Sequence, residues 1–115
     1  INAAHNPPLL KNNKTIEQLN TGSTGLGMFD SIPSIHQGEI RIEKNAALVC
    51  YTDGVVELEN EKEEPFGIEK LKELMNSNGD KTMKEMNKNI LDALIEYNGT
   101  MPYIDDIALF SLRFR

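Results

Sequence analysis

The apolar positions of this chain follow two different periods. Up to residue 52 they come as short runs and alternations; between residues 68 and 95 they recur every third or fourth position. The first spacing predicts strands and the second predicts helices. "GEIRIE" alternates, with Ile40 and Ile42 on one face and Glu39, Arg41 and Glu43 on the other. "AALVCYT", from Ala46 to Thr52, carries no charge and predicts a central strand apolar on both faces. Lys44 and Asn45 between them suit a turn, since asparagine tolerates a left-handed backbone. The two runs together therefore predict a hairpin. Upstream, "INAAHNPPLLKN" starts extended. Asn6 precedes a proline and is pushed to β or polyproline conformation, and Pro7 and Pro8 lack backbone donors, which makes this piece an edge, a bulge or a bend. "NNKTIEQLN" predicts a turn and a weak strand, and the Gly-, Ser- and Thr-rich "TGSTGLGMFDSIPS" predicts a loop.

Past the charged loop "ELENEKEEPFG", Ile68, Leu71, Leu74 and Met75 form one helical face. "NSNGD" stops that helix. Asp80, or Thr82 with Glu85, can cap the next, whose stripe is Met83, Met86, Ile90, Leu91, Leu94 and Ile95. A last strand is predicted in "IDDIALFSLRF". Ala108, Phe110, Leu112 and Phe114 share one of its faces, and Ile107 and Leu109 begin the other. Strands, two helices and a strand, with short links between the early strands, predict an α+β fold: an antiparallel sheet with a helix pair on one face.

A chain of 115 residues has room for one modest domain. Twelve basic and eighteen acidic residues give a net charge of −6, which argues against nucleic acid and against an anionic membrane surface as partners. No apolar run approaches the ~20 residues of a membrane span, and no signal peptide is recognisable. The single cysteine, Cys50, excludes an intrachain disulfide and reads as a small buried hydrophobe; the expected setting is the reducing cytoplasm. The chain opens on Ile1 in a strand-like run, so it is expected to be a piece of something longer.

The chemistry rests on aspartates at strand ends. Asp53 closes the central strand, and Asp105 and Asp106 lead into the last one. Asp-Gly is a common turn dipeptide, and an Asp pair before a strand can be a solvated loop. The other reading is a cation site. Like charges brought together repel unless a cation intervenes, and oxygen-only donors suit Mg²⁺ or Mn²⁺ rather than zinc.

"INAAHNPPLL", "TGLGMF", "LVCYTDGVVE", "EPFGIEKL" and "IDDIALFSL" occur in that order. Together they resemble the C-terminal half of the bacterial metal-dependent protein phosphatases, in the branch of stage II sporulation protein E and the sigma-factor regulatory phosphatases, relatives of protein phosphatase 2C. The resemblance implies an α-β-β-α sandwich, a two-metal Mn²⁺ or Mg²⁺ site between its sheets, and hydrolysis of phosphoserine or phosphothreonine on a protein by a metal-activated water. In this branch the substrate is often a phosphorylated anti-sigma-factor antagonist. The resemblance implies Asp53 and Asp105 as metal ligands. It implies Asp106 as their support, Gly54 as the exit from the strand, and His5 and Asn6 as structural or site-edge residues. Glu57 is expected to brace the loop and His36 to be solvated.

The resemblance further places residues 1–115 as the C-terminal part of one phosphatase domain. The first metal-binding motif is expected before them, and a sensor or regulatory domain before that. The chain alone is then expected to bind Mn²⁺ weakly and to be inactive. Its uncovered sheet face is expected to drive homodimerisation. Ala4 stands where the family usually has Gly, the Gly-Asp often found before the central strand is absent from "EKNAALV", and Ala108 replaces a frequent Thr. The competing reading is a non-catalytic, degenerate phosphatase module serving as a regulatory scaffold.

Overall fold

The computed structural model describes residues 2–115; the strand-like start expected at Ile1 lies outside the described residues. Three antiparallel pairings build the main sheet. Strand β2 (Leu9–Asn12) pairs with β3 (Thr15–Gln18), and the central β5 (Ala47–Tyr51) lies between β2 and β6 (Leu109–Arg113). Asn13 makes the turn from β2 to β3 with a left-handed φ of 51°. The short β1 (Asn2–Ala3) and β4 (Gly22–Ser23) form a separate ribbon, and they run parallel rather than antiparallel.

Two helices cover one face of the main sheet. After a single turn, α1 (Asp53–Val56), the chain enters α2 (Gly67–Ser77) through Gly67, whose φ of 80° suits only glycine. It then returns along α3 (Met83–Asn98). Val49 and Tyr51 of β5 and Leu9 of β2 meet Leu71 and Met75 of α2 and Met86, Ile90 and Leu94 of α3 in one core. Phe66 packs edge-on against Tyr97 with ring centroids 5.2 Å apart. Tyr97 donates to the Glu64 carbonyl and Asn98 to the Glu59 carbonyl, so the end of α3 returns to the loop that precedes α2.

This return positions the site. Each helix crosses the sheet once, and two crossings bring the chain back to the end it left. Strand β6 must therefore start beside the place where β5 stops. The antiparallel register, from Ala47 opposite Arg113 to Tyr51 opposite Leu109, is the consequence.

The structure corrects several expectations. "GEIRIE" forms no strand: β5 has β2 and β6 as its neighbours, and Ile40 and Ile42 remain 37% and 43% exposed. Asn45 still turns left-handed, at φ 67°, but it leads into the β5–β6 ladder, where its amide donates to the Phe114 carbonyl. Strand β6 begins at Leu109, later than its apolar pattern suggested. Its Leu109 packs on the helical core, whereas Phe110 points to the opposite face and is 61% exposed. The stripe of α3 is narrower than predicted. Met86, Ile90 and Leu94 are buried, while Leu91 and Ile95 are exposed. Cys50 shares the face opposite the helices and is half-buried; burial pushes its thiol up.

The molecule measures 44 × 35 × 19 Å. A thickness of 19 Å matches one sheet plus one helix layer at about 10 Å each. The radius of gyration, 15.4 Å, exceeds the ~13 Å usual for a domain of about this size, as expected of two layers rather than three or four.

Candidate functional site

At residue 52 the chain has to leave a ladder and start a helical turn, two tasks that compete for the same backbone groups. The amide of Thr52 stays in the ladder and donates to the Ala108 carbonyl at 3.2 Å. Its carbonyl leaves the ladder and accepts from the Val55 amide at 3.0 Å, opening α1. The hydroxyl takes over the vacated place. It accepts from the Ala108 amide at 2.9 Å and donates to the Asp106 carbonyl at 2.7 Å. Thr52 occupies the N-cap position of α1, yet its side chain makes no capping hydrogen bond, because it is engaged across the sheet.

Gly54 completes the junction by its size. A Cβ built there would lie 3.0 Å from the Asp105 carbonyl oxygen and closer still to that of Asp106. Gly54 is absent from the left-handed positions, so what requires glycine here is the close approach of two backbones rather than its φ. Asp53 and Asp105 stand on the two segments that Thr52 and Gly54 press together. Both side chains are exposed, as is that of Asp106. One oxygen of Asp105 accepts from the Asp106 amide at 2.7 Å, which fixes the turn of the loop. Burial pushes the Tyr51 phenol up, and the negative charge of Asp53 adds to that effect.

Among the described residues the ion pairs are Arg41–Glu43, Lys72–Glu69 and Lys88–Asp92, and none includes these aspartates. No group of three or more His, Cys, Asp or Glu side chains is arranged to hold a metal ion among the described residues. The donors at the junction are oxygen-only and have no basic partner among the described residues, so their chemistry fits Mg²⁺ or Mn²⁺. They are fewer than the roughly six or more ligands such a cation takes.

His5 is exposed, and its amide donates to the Asn2 side chain; its ring Nδ1 lies 2.9 Å from the Asn6 carbonyl. His5 also borders an open hollow of about 570 Å³ with Glu17, Thr21 and Glu39; none of the three aspartates lines it. Ala4 adopts φ 59°, a left-handed backbone that costs a non-glycine residue about 1–2 kcal/mol. Glu57 closes α1 through its amide, which donates to the Asp53 carbonyl, while its side chain is exposed. His36 is exposed. The sequence pattern does not single out Thr52. The only signal was a hydroxyl between an uncharged strand and an Asp-Gly pair.

The family described as stage II sporulation protein E matches the chain over residues 1–115. The SiaA-PP2C domain of Pseudomonas aeruginosa superposes with a TM-score of 0.83 at 20% identity, covering 97% of this chain and 44% of that one. The RsbU and RsbW domains of Rv1364c from Mycobacterium tuberculosis superpose with a TM-score of 0.72 at 24% identity, covering 97% of this chain and 31% of that one. At such identities the likeness establishes the fold, and the chain spans less than half the length of either structure. No curated protein sequence matches it.

Proposed function

This chain belongs to the stage II sporulation protein E family, and we propose that it is part of a metal-dependent protein serine/threonine phosphatase domain acting on a signalling protein such as an anti-sigma-factor antagonist. The observation that carries this reading is the junction at the end of β5, where two acidic segments distant in sequence are held backbone to backbone by Thr52 and Gly54. In this reading Asp53 and Asp105 each supply anionic oxygens to a divalent cation, and Asp106 orients the loop through its amide. His5 and Asn6 sit at the edge of the site. A stiff strand end holds a ligand more firmly than a free loop would.

Bound Mn²⁺ or Mg²⁺ would supply a water of lowered pKa and would screen the phosphate charge. The chain's own part is to keep two carboxylates exposed, with no basic partner among the described residues, so that their charge is available to a cation. Residues 1–115 form the C-terminal part of the domain in this reading. The first metal-binding motif precedes them, a sensor or regulatory domain lies further upstream, and the isolated chain is inactive. The setting is cytoplasmic; no helix among the described residues is long and apolar enough to cross a membrane.

A degenerate module that serves only as a regulatory scaffold is the second reading. It is favoured by the absence of a complete metal-holding cluster among the described residues. Calorimetric titration of the full-length protein with Mn²⁺ separates the two. Asp53→Asn is expected to weaken binding by at least about tenfold, and an unchanged affinity would exclude Asp53 as a ligand.

A further inference from the structure

We propose that Thr52 is a positioning residue: its hydroxyl, by joining the end of β5 to the backbone of Asp106 and Ala108, sets the separation between Asp53 and Asp105 at which a divalent cation is held. This rests on the reading of those two aspartates as ligands.

The inference follows from where the backbone groups go. The β5–β6 ladder is regular as far as Tyr51 opposite Leu109. At the next position a regular ladder would use the Thr52 carbonyl, but that group is committed to the Val55 amide. The Ala108 amide and the Asp106 carbonyl are then left to the hydroxyl, which satisfies both at once. Without it, the hydrogen bond remaining between residue 52 and the loop among the described residues is the long one from the Thr52 amide to the Ala108 carbonyl. The loop that carries Asp105 would then be free to swing away from Asp53.

An N-capping role does not account for the side chain, because its hydroxyl oxygen makes no bond to the amides of α1. Gly54 is the complementary half of the device. The hydroxyl pulls the loop in, and the missing Cβ gives it room to arrive. Groups that orient metal ligands in this indirect way often govern affinity as strongly as a ligand does.

The test uses the full-length protein, Mn²⁺ alone as titrant, and amide hydrogen exchange of the segment containing Asp106 and Ala108. Valine matches the shape of threonine without its hydroxyl, and serine keeps the hydroxyl. Thr52→Val is expected to lower Mn²⁺ affinity by about 10- to 100-fold and to speed exchange at Ala108, while Thr52→Ser restores both. If Thr52→Val does not fold, Thr52→Ala removes the hydroxyl without placing a methyl in its pocket, and the same outcomes apply. Faster exchange with wild-type Mn²⁺ affinity overturns the proposal, provided Asp53→Asn still weakens binding; the hydroxyl then fastens the loop without setting the ligands. Slow exchange at Ala108 in the valine variant also overturns it. If Asp53→Asn leaves the affinity intact, the ligand reading has failed, and the positioning role fails with it.

Discussion

Gly54 and Thr52 illustrate how two neighbouring residues with no charge can decide where charges stand. In the proposed reading the aspartates bring the chemistry, but their side chains are exposed. Their placement is inherited from the backbone, and the backbone at this point is set by one hydroxyl and one absent methyl. Gly54→Ala should therefore act at a distance from any carboxylate. The added carbon meets main-chain atoms of Asp105 and Asp106 rather than a flexible side chain, so the loop itself must move. A loss of about 1–3 kcal/mol in stability is expected, as for overpacking elsewhere, together with weaker Mn²⁺ binding. Urea unfolding and calorimetry on the same variant check both, and an unperturbed midpoint would mean that the close approach is relieved without cost.

The two long helices reach stability by different routes. Helix α2 has no side-chain cap at its N-terminus. It depends on Leu71 and Met75, both fully buried and contributing about 1.5–3 kcal/mol each. Helix α3 adds a capping box. The Thr82 hydroxyl accepts from the Glu85 amide, and the Glu85 carboxylate accepts from the Thr82 amide and hydroxyl. The backbone hydrogen bond from Thr82, followed by the one from its hydroxyl, holds the Glu85 carboxyl below its ordinary value of 4.5. A depressed folded-state pKa stabilises the fold above the unfolded value and stops doing so as the pH falls through the folded value. The stability margin of wild type over Glu85→Gln should thus be present at neutral pH and shrink below about pH 4.5. Denaturation midpoints across that range measure it, and a margin independent of pH would remove the carboxylate from the cap.

As a whole the molecule is a sheet with helices on one side only. Phe110 stands exposed on the other side, with Leu48, Cys50 and Leu112 half-buried around it by strand alternation. In the proposed phosphatase domain the remainder of the sandwich covers this face. Leu10, paired with Leu48 on this face, is buried, so the described chain covers the β2 side itself. The part around Phe110 stays open, and an exposed apolar patch tends to find a partner. Light scattering of the isolated chain at high concentration is expected to report a dimer or larger species, and Phe110→Lys to shift it toward monomer. A monomer at every concentration would show that the face tolerates water.

The local pattern along the chain was enough to place β5 as the central strand, to align Leu71 with Met75 and Met86 with Ile90 and Leu94, to give Thr82 and Glu85 a capping role, and to turn the backbone at Asn45. These are decisions made within a few residues, where periodicity and side-chain chemistry act directly. Partner choice was different. The alternation in residues 39–43 describes a face that could be half-buried, but a strand also needs an edge to join, and β2 and β6 had taken both edges of β5. The same holds at the site. The aspartates were visible as carboxylates at strand ends, whereas the work of Thr52 and Gly54 exists only once two helical crossings have returned the chain to its starting side. A hydroxyl that completes a ladder, and a glycine that admits another backbone, are defined by what lies opposite them, and only the folded chain supplies that.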